Sequence, residues 1–377
     1  MIYLDNAATS YPKPEAVYQA VDHALRHCGA NPGRGGHRMA LDASRLLLAA
    51  RETIASFFAI PDASRVVFTS GATEALNLAL FGALNSGDRV VTTSMEHNAV
   101  LRPLRALQDR GVEVVKVKAD QEGFVSPTDL SEACSQPTKM VVMTHCSNVT
   151  GTVQAIADIG PWCRQQEILF VVDAAQSAGV LPIDVEAMGI DLLAVPGHKG
   201  LMGPTGTGFL YIREGLELSP LIYGGTGSHY SSPLPPEELP ERFESGTLNT
   251  PGIAGLAAGV EFLHSLGSDA VLKHERELLE QLVAGLKEIP GVRLYGPSDL
   301  SCHGGALSLT LDGRDPAEVG FLLDREHDIM VRVGLHCAPD AHRTIGTFPS
   351  GTIRISPGFL TIEKDIVALL AGLKKIA

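Results

Sequence analysis

The sequence predicts an α/β protein, with a large domain built on a mostly parallel sheet and a smaller α+β domain behind it. Three observations predict this. From about residue 60 to 215, short β-rich runs alternate with helix-period segments, a rhythm that implies crossover connections and a sheet covered on both faces. Residues 224–240 then hold three Gly, three Ser and four Pro, too rigid and too small-sided for a core element. Beyond them, helical and strand patterns recur in a new order, which suggests a second sheet.

Taken in order, Val17, Val21, Leu25 and Cys28 recur at helical spacing, which makes Cys28 a small core residue. Strands are expected at Arg65–Phe68, Arg89–Thr92, Met140–Met143, Ile168–Val172 and Leu192–Val195, each ending in polar or glycine-rich residues. In an open α/β sheet those ends line the ligand edge. Residues 224–240 are expected to be exposed. Leu272, Leu279, Leu282, Val283 and Leu286 form one later helix face, and Ile362, Ile366, Leu369, Leu370 and Leu373 another. Strands at 306–311, 330–333 and 352–355 lie between them. The expected division is a segment 1–14 on the small domain, a large domain 15–250 and a small domain 251–377.

Composition narrows the function. The 377 residues are 45% hydrophobic and 19% charged, with no apolar run long enough to span a bilayer, so a folded, water-soluble protein is expected. The formal charge of −13 disfavours nucleic acid and anionic membrane as main partners. The opening residues lack the pattern of an export signal. The six cysteines include no C-x-x-C pair, so no metal site is expected and the thiols are read as reduced and cytoplasmic.

Chemistry concentrates at the strand ends. In Pro196-Gly197-His198-Lys199-Gly200, a lysine follows an apolar strand. Burial disfavours its ammonium, and an amine of depressed pKa is what a Schiff base with an aldehyde cofactor requires; alone, the string reads equally well as a surface lysine in a glycine-rich turn. Asp173 closes another strand, suited to pair with a protonated ring nitrogen or, equally, to cap a helix. Ser70-Gly71-Ala72-Thr73 opens an apolar helix whose free amides and Thr73 hydroxyl can receive a phosphate. His97 is placed to stack on a flat ring, although a strand-end histidine is also a common surface residue. Cys337 sits in Arg332-Val333-Gly334-Leu335-His336-Cys337-Ala338-Pro339, where positive neighbours favour thiolate. Arg332 and Arg354 each offer a fork to a carboxylate.

Together these segments resemble the cysteine desulfurases and selenocysteine lyases among the class V, fold-type I pyridoxal phosphate enzymes. The match runs from Leu4-Asp5-Asn6-Ala7-Ala8-Thr9 through Ser70–Glu74, Glu96-His97, Ser147–Gly151, Asp173–Gln176 and Gly197-His198-Lys199 to Glu244–Thr247, Cys337 and Arg354. The resemblance implies a seven-stranded sheet and pyridoxal 5'-phosphate held covalently by Lys199. His97 would stack on the ring and donate protons, Asp173 would hold its nitrogen, and Gln176 would approach its phenolic oxygen. Phosphate would meet Gly71, Ala72, Thr73, His198 and, across a homodimer interface, Thr247. Asn6, Asn148, Arg332 and Arg354 would orient L-cysteine, and Cys337 would take its sulfur as a persulfide for a protein acceptor. The compact loop from Arg332 to Cys337 resembles the branch without a long mobile cysteine loop.

Three positions depart from the family pattern. Pro196 stands where a hydroxyl residue is common, Gly33 where a histidine is common, and the stretch from Cys337 to Arg354 is slightly longer. The readings kept beside desulfuration are selenocysteine lysis, transamination or epimerisation on the same scaffold, and a noncatalytic sulfur-relay scaffold.

Overall fold

The structure is a computed structural model and describes residues 1–33, 35–227, 233–267 and 269–377. After a short strand β1 (Ile2–Tyr3), two helices, α1 (Glu15–His27) and α2 (Arg38–Phe57), lead into the large domain. There β2 (Val66–Thr69), α3 (Ala72–Ala83), β3 (Arg89–Thr93), α4 (Asn98–Gln108), β4 (Glu113–Val117), α5 (Pro127–Ala133), β5 (Met140–Thr144), α6 (Ile156–Gln165), β6 (Leu169–Asp173), β7 (Leu192–Pro196) and β8 (Gly208–Ile212) follow. The seven strands are ordered β2-β8-β7-β6-β5-β3-β4. Six run in one direction, and β8 alone is reversed, antiparallel to both β2 and β7. Strands β5, β7 and β8 are buried at every residue, the mark of a sheet covered on both faces.

Helix α7 (Thr250–Leu266) comes next, then α8 (Ala270–Lys287), β9 (Val292–Tyr295), β10 (Leu307–Leu311), α9 (Pro316–His327), β11 (Ile329–Met330), β12 (Arg332–Gly334), α10 (Pro339–Thr344), β13 (Thr352–Ile355) and α11 (Glu363–Ile376). The small domain's antiparallel sheet is ordered β12-β13-β10-β9, and β1 pairs in parallel with β11. The chain's first residues therefore lie against its last third.

Several expectations are corrected. Helix α7 packs on α1 and α2, and its Ile253, Leu256, Val260 and Leu263 belong to the large-domain core. Helix α7, which the expected division at 250/251 gives to the small domain, thus packs with large-domain elements. Leu25 is 61% exposed, and Ala24, at 0%, takes the buried position on α1 instead. Cys28 caps that helix and is half-buried. Leu272 is only partly buried, and Ile362 caps α11 from an exposed position. The described parts of 224–240 are mostly exposed; residues 228–232 lie outside the described residues.

Candidate active site

Five strand ends converge on one cavity of ≈ 290 Å³. Its walls carry Ser70–Glu74 after β2, His97 after β3, Asn148 after β5, Asp173 and Gln176 after β6, and Pro196, His198 and Lys199 after β7. Gly71, Ala72, Thr73, His97, Asn148, Asp173, Gln176, His198 and Lys199, each singled out in the sequence, are thereby brought together.

At one end lies the start of α3. Its cap is Gly71, at φ 155, and no side chain caps it, so the first-turn amides remain available to an anion. The helix start can come this close to the sheet because β8 begins with Gly208: a Cβ there would sit 2.7 Å from Gly71 Cα. His198 shares the wall, and its buried Nδ1 has no hydrogen-bond partner among the described residues. Burial, then Lys199, pushes that imidazole down to about 4.

At the other end Asp173 is 1% exposed, and its Oδ1 accepts from the Ala175 amide at 2.9 Å. Burial raises its pKa, so a cation placed against the carboxylate is what restores the charged form. Burial also pushes Lys199 down to about 8, an effect that Asp173 opposes. An amine so tuned keeps a neutral, nucleophilic fraction near physiological pH that an ordinary lysine lacks. Gln176 Nε2 donates to Ala7 O at 2.9 Å, which ties this wall to the N-terminal segment.

His97 is the N-cap of α4, its Nδ1 accepting from the Ala99 amide at 3.0 Å. The ring proton therefore sits on Nε2. Burial, then Lys199, pushes the imidazole down to about 4, so His97 acts as a neutral donor rather than as an imidazolium. The adjacent Glu96, which carried no assigned role, is fully buried. Its Oε1 accepts from Thr93 Oγ1 at 2.5 Å and from the Thr144 amide at 3.2 Å. Burial, with Asp173 also contributing, raises it to about 8, which makes it a neutral acid beneath the site.

The small domain packs against the His97 wall. Cys337 is exposed, and its carbonyl accepts from the Asn98 amide, next to His97, at 2.8 Å. The preceding carbonyl, of His336, accepts from Asn148 Nδ2 at 2.7 Å. His336 and Cys337 both adopt left-handed backbone, at φ 47 and 59, so two non-glycine residues hold the thiol loop in a strained turn. Salt bridges from Lys116 and Arg343 to Asp340 fasten α10 beside it.

Five expected site residues lie off the cavity wall. Arg354 and Arg332 are not free forks: Asp5 Oδ1 lies 2.7 Å from Arg354 Nη2, and Asp5 Oδ2 lies 3.9 Å from Arg332 Nη1. Arg354 Nη1 also donates to Asn148 O at 3.1 Å, which leaves its buried Nε without a partner. Asn6 lines an adjoining cavity, with its Nδ2 donated to Ser356 O at 3.0 Å. Thr247 is exposed and accepts from Asn31 Nδ2 at 3.2 Å. Its segment is held by Glu244, whose Oε1 accepts from Arg51 Nη1 at 2.7 Å and from the Phe68 amide at 2.6 Å. Cys337 also lies off the wall, its carbonyl bonded to the amide of Asn98, the residue after His97.

The family model described as aminotransferase class-V matches residues 2–369. The chain belongs to the class-V aminotransferase family. A probable cysteine desulfurase of Methanothermobacter thermautotrophicus is 38% identical over 385 residues, covering 100% of this chain and 94% of that protein. Among solved structures, the apo cysteine desulfurase of Thermococcus onnurineus NA1 has a TM-score of 0.92 at 34% identity, covering 100% of this chain and 94% of that one. A cysteine desulfurase of Escherichia coli, solved with an S-sulfonic acid, has a TM-score of 0.86 at 29% identity, covering 99% and 94%. Class-V aminotransferases and cysteine desulfurases are pyridoxal phosphate enzymes, and this member has the matching α/β fold with a separate smaller sheet. No helix among its described residues is long and apolar enough to cross a membrane.

Proposed function

We propose that this class-V family member is a pyridoxal phosphate-dependent cysteine desulfurase that converts L-cysteine to L-alanine and keeps the sulfur on Cys337. One observation carries the reading: the Cys337 loop is hydrogen-bonded to the start of the His97 helix, and His97 lines the same cavity as Lys199 and Asp173. The residues fit the cofactor. Lys199 would hold its aldehyde, the α3 start with Thr73 and His198 its phosphate, and Asp173 its ring nitrogen. Once bound, the cofactor supplies an electron-accepting ring for the charge left at the substrate's Cα. A neutral Lys199 removes and returns the Cα proton. His97 presents Nε2–H to the substrate, and Arg354 turns its remaining donor toward the carboxylate. The Cys337 thiolate attacks the substrate sulfur: an S–S bond forms, the substrate C–S bond breaks, and its electron pair stays on the carbon skeleton, which takes up protons and leaves as alanine. Cysteine and protein thiol thus become alanine and protein persulfide, and no external oxidant enters.

The persulfide is then passed to an acceptor protein. A homodimer belongs to this reading: Tyr18, Met39, Leu41, Leu48, Ile222 and Tyr223 leave apolar side chains at the surface, and the exposed Thr247 would serve the neighbouring subunit. Six free thiols favour the reducing cytoplasm. Selenocysteine is the alternative substrate, since a selenol leaves more readily. The test is to incubate the cofactor-loaded protein with each amino acid, measuring alanine and mapping added sulfur by mass spectrometry. Alanine from cysteine, with one extra sulfur on the Cys337 peptide, is expected. Alanine from selenocysteine alone, or none from either, overturns the assignment.

A further inference from the structure

Strand β7 ends at Pro196, so the carbonyls of His198 and Lys199 lie beyond the sheet ladder and must find donors elsewhere. They find most of them in the N-terminal segment. His198 O accepts from the Ser10 amide at 3.1 Å, from Thr9 Oγ1 at 3.1 Å and from Lys13 Nζ at 2.8 Å. Lys199 O accepts from the Met202 amide at 2.8 Å and from Ser10 Oγ at 2.8 Å. The Lys13 ammonium also donates to Ser10 Oγ at 2.8 Å, which leaves that hydroxyl's own proton for Lys199 O. A chain of hydrogen bonds thus runs from Lys13 through Ser10 to the backbone of Lys199. Lys13 is half-buried, and no carboxylate supports its charge; burial alone pushes its pKa down to about 8. A cation held there without a counter-ion is costly, so its retention calls for a physical reason. The segment that presents these donors is anchored at its other end, where the Asn6 amide donates to Ser356 O at 3.2 Å and the Ala7 amide to Ser356 Oγ at 3.0 Å.

We propose that Lys13 is a positioning residue for Lys199: together with Ser10 it fixes the two peptide groups that flank the Lys199 Cα, and so aims the amine that rises from it. The proposal rests on Lys199 being the cofactor-binding lysine. The carbonyl before that Cα belongs to His198 and the one after it to Lys199 itself, and Lys13 reaches the first directly and the second through the Ser10 hydroxyl. Holding both planes fixes the point from which a long, flexible side chain pivots. Attack on a carbonyl carbon demands such control, because a misplacement of about 1 Å costs on the order of 100-fold in rate. The agent is position, not charge. Asp173, Arg354, Arg332 and Asp5 are the charged groups that act on the Lys199 amine, and Lys13 is not among them. His198 is the group that feels the Lys13 charge, and its wall serves the opposite end of the cavity from Asp173.

The test uses the full-length, cofactor-free protein and its Lys13→Met and Ser10→Ala variants. The rate at which each captures pyridoxal phosphate is followed by absorbance across pH. Pyridoxamine phosphate, which has the ring and the phosphate but no aldehyde, is titrated alongside and reads the rest of the site. Lys13→Met is expected to lower the high-pH plateau of capture about tenfold, with the midpoint unmoved and the affinity for pyridoxamine phosphate kept within about twofold. Ser10→Ala removes only a hydroxyl and is expected to act in the same direction, which gives the same reading should Lys13→Met fold poorly. An unchanged plateau in the folded variants overturns the proposal. So does a shifted midpoint, which would make Lys13 an electrostatic neighbour, and so do parallel losses of capture rate and pyridoxamine phosphate affinity, which would make it a general support of the fold. A wild-type chain that captures no cofactor at Lys199 overturns the functional reading as well, whereas wild-type capture with a plateau independent of Lys13 and Ser10 overturns this proposal alone.

Discussion

Asp5 Oδ1 lies 2.7 Å from Arg354 Nη2, which couples the chain's first turn to a β13 arginine that is 2% exposed. The second Asp5 oxygen faces Arg332, so one carboxylate separates two guanidinium groups that would otherwise repel. Burial already lowers the Arg354 pKa, and Asp5 is the main group that opposes the shift. Asp5→Asn is expected to destabilise the fold by about 3 kcal/mol, because a buried cation loses its counter-charge. Chemical denaturation measures this. Arg354→Lys keeps the charge but loses the fork, and is expected to raise the KM for cysteine about 100-fold with cofactor content unchanged. An unchanged KM makes Arg354 a structural partner of Asp5 and nothing more.

The depressed Lys199 pKa predicts a pH dependence with a definite sign. Only the neutral amine attacks an aldehyde, so capture of pyridoxal phosphate by the cofactor-free chain should accelerate as pH rises and level off above about 8. An ordinary lysine would still be accelerating toward its usual pKa of 10.5. Asp173 opposes the depression, so Asp173→Asn should move the midpoint lower still. Stopped-flow absorbance across the range measures both, and a midpoint near the ordinary lysine value would mean that the amine is solvated.

Strain in the thiol loop makes a second kind of prediction. Cys337 holds φ 59, where a Cβ costs about 1 kcal/mol. Cys337→Gly is therefore expected to be more stable than Cys337→Ala, the reverse of the usual order. Both should lose persulfide formation while keeping the cofactor. Urea midpoints of the two variants settle the order. Equal midpoints would mean that the turn relaxes once sulfur is gone.

How much of this was legible in the sequence follows from which interactions are local. Strands β2, β3, β5, β6 and β7 are legible because each is an apolar run closed by polar or glycine-rich residues, and their alternation with helices along the chain puts those ends on one edge. Strand β4 was not, since Glu113 and Lys116 are exposed on an edge strand and break the apolar run. Strand β8 was hidden behind the glycines that precede it. Helix α7 is apolar around most of its circumference, so periodicity did not say which domain it covers. The pairing of Asp5 with Arg354 spans 349 positions, and that of Lys13 with His198 spans 185. Such features arise only from the fold.

Gly208 tests the cofactor end of the cavity. It stands opposite Thr69 of β2 and Pro196 of β7, and a Cβ there would meet Val195 O at 2.6 Å and Gly71 Cα at 2.7 Å. Both atoms are backbone, so neither can swing aside as a flexible side chain would. Gly208→Ala must either spread β8 from its neighbours or push Gly71 and the start of α3 outward. The second course moves the amides proposed to receive phosphate. Overpacking of this kind costs about 1–3 kcal/mol, which predicts cofactor binding weakened by about 10- to 100-fold. Titration of the cofactor-free variant with pyridoxal phosphate measures the loss. If affinity is kept while thermal stability falls, the strain has gone into the sheet and the α3 start has not moved.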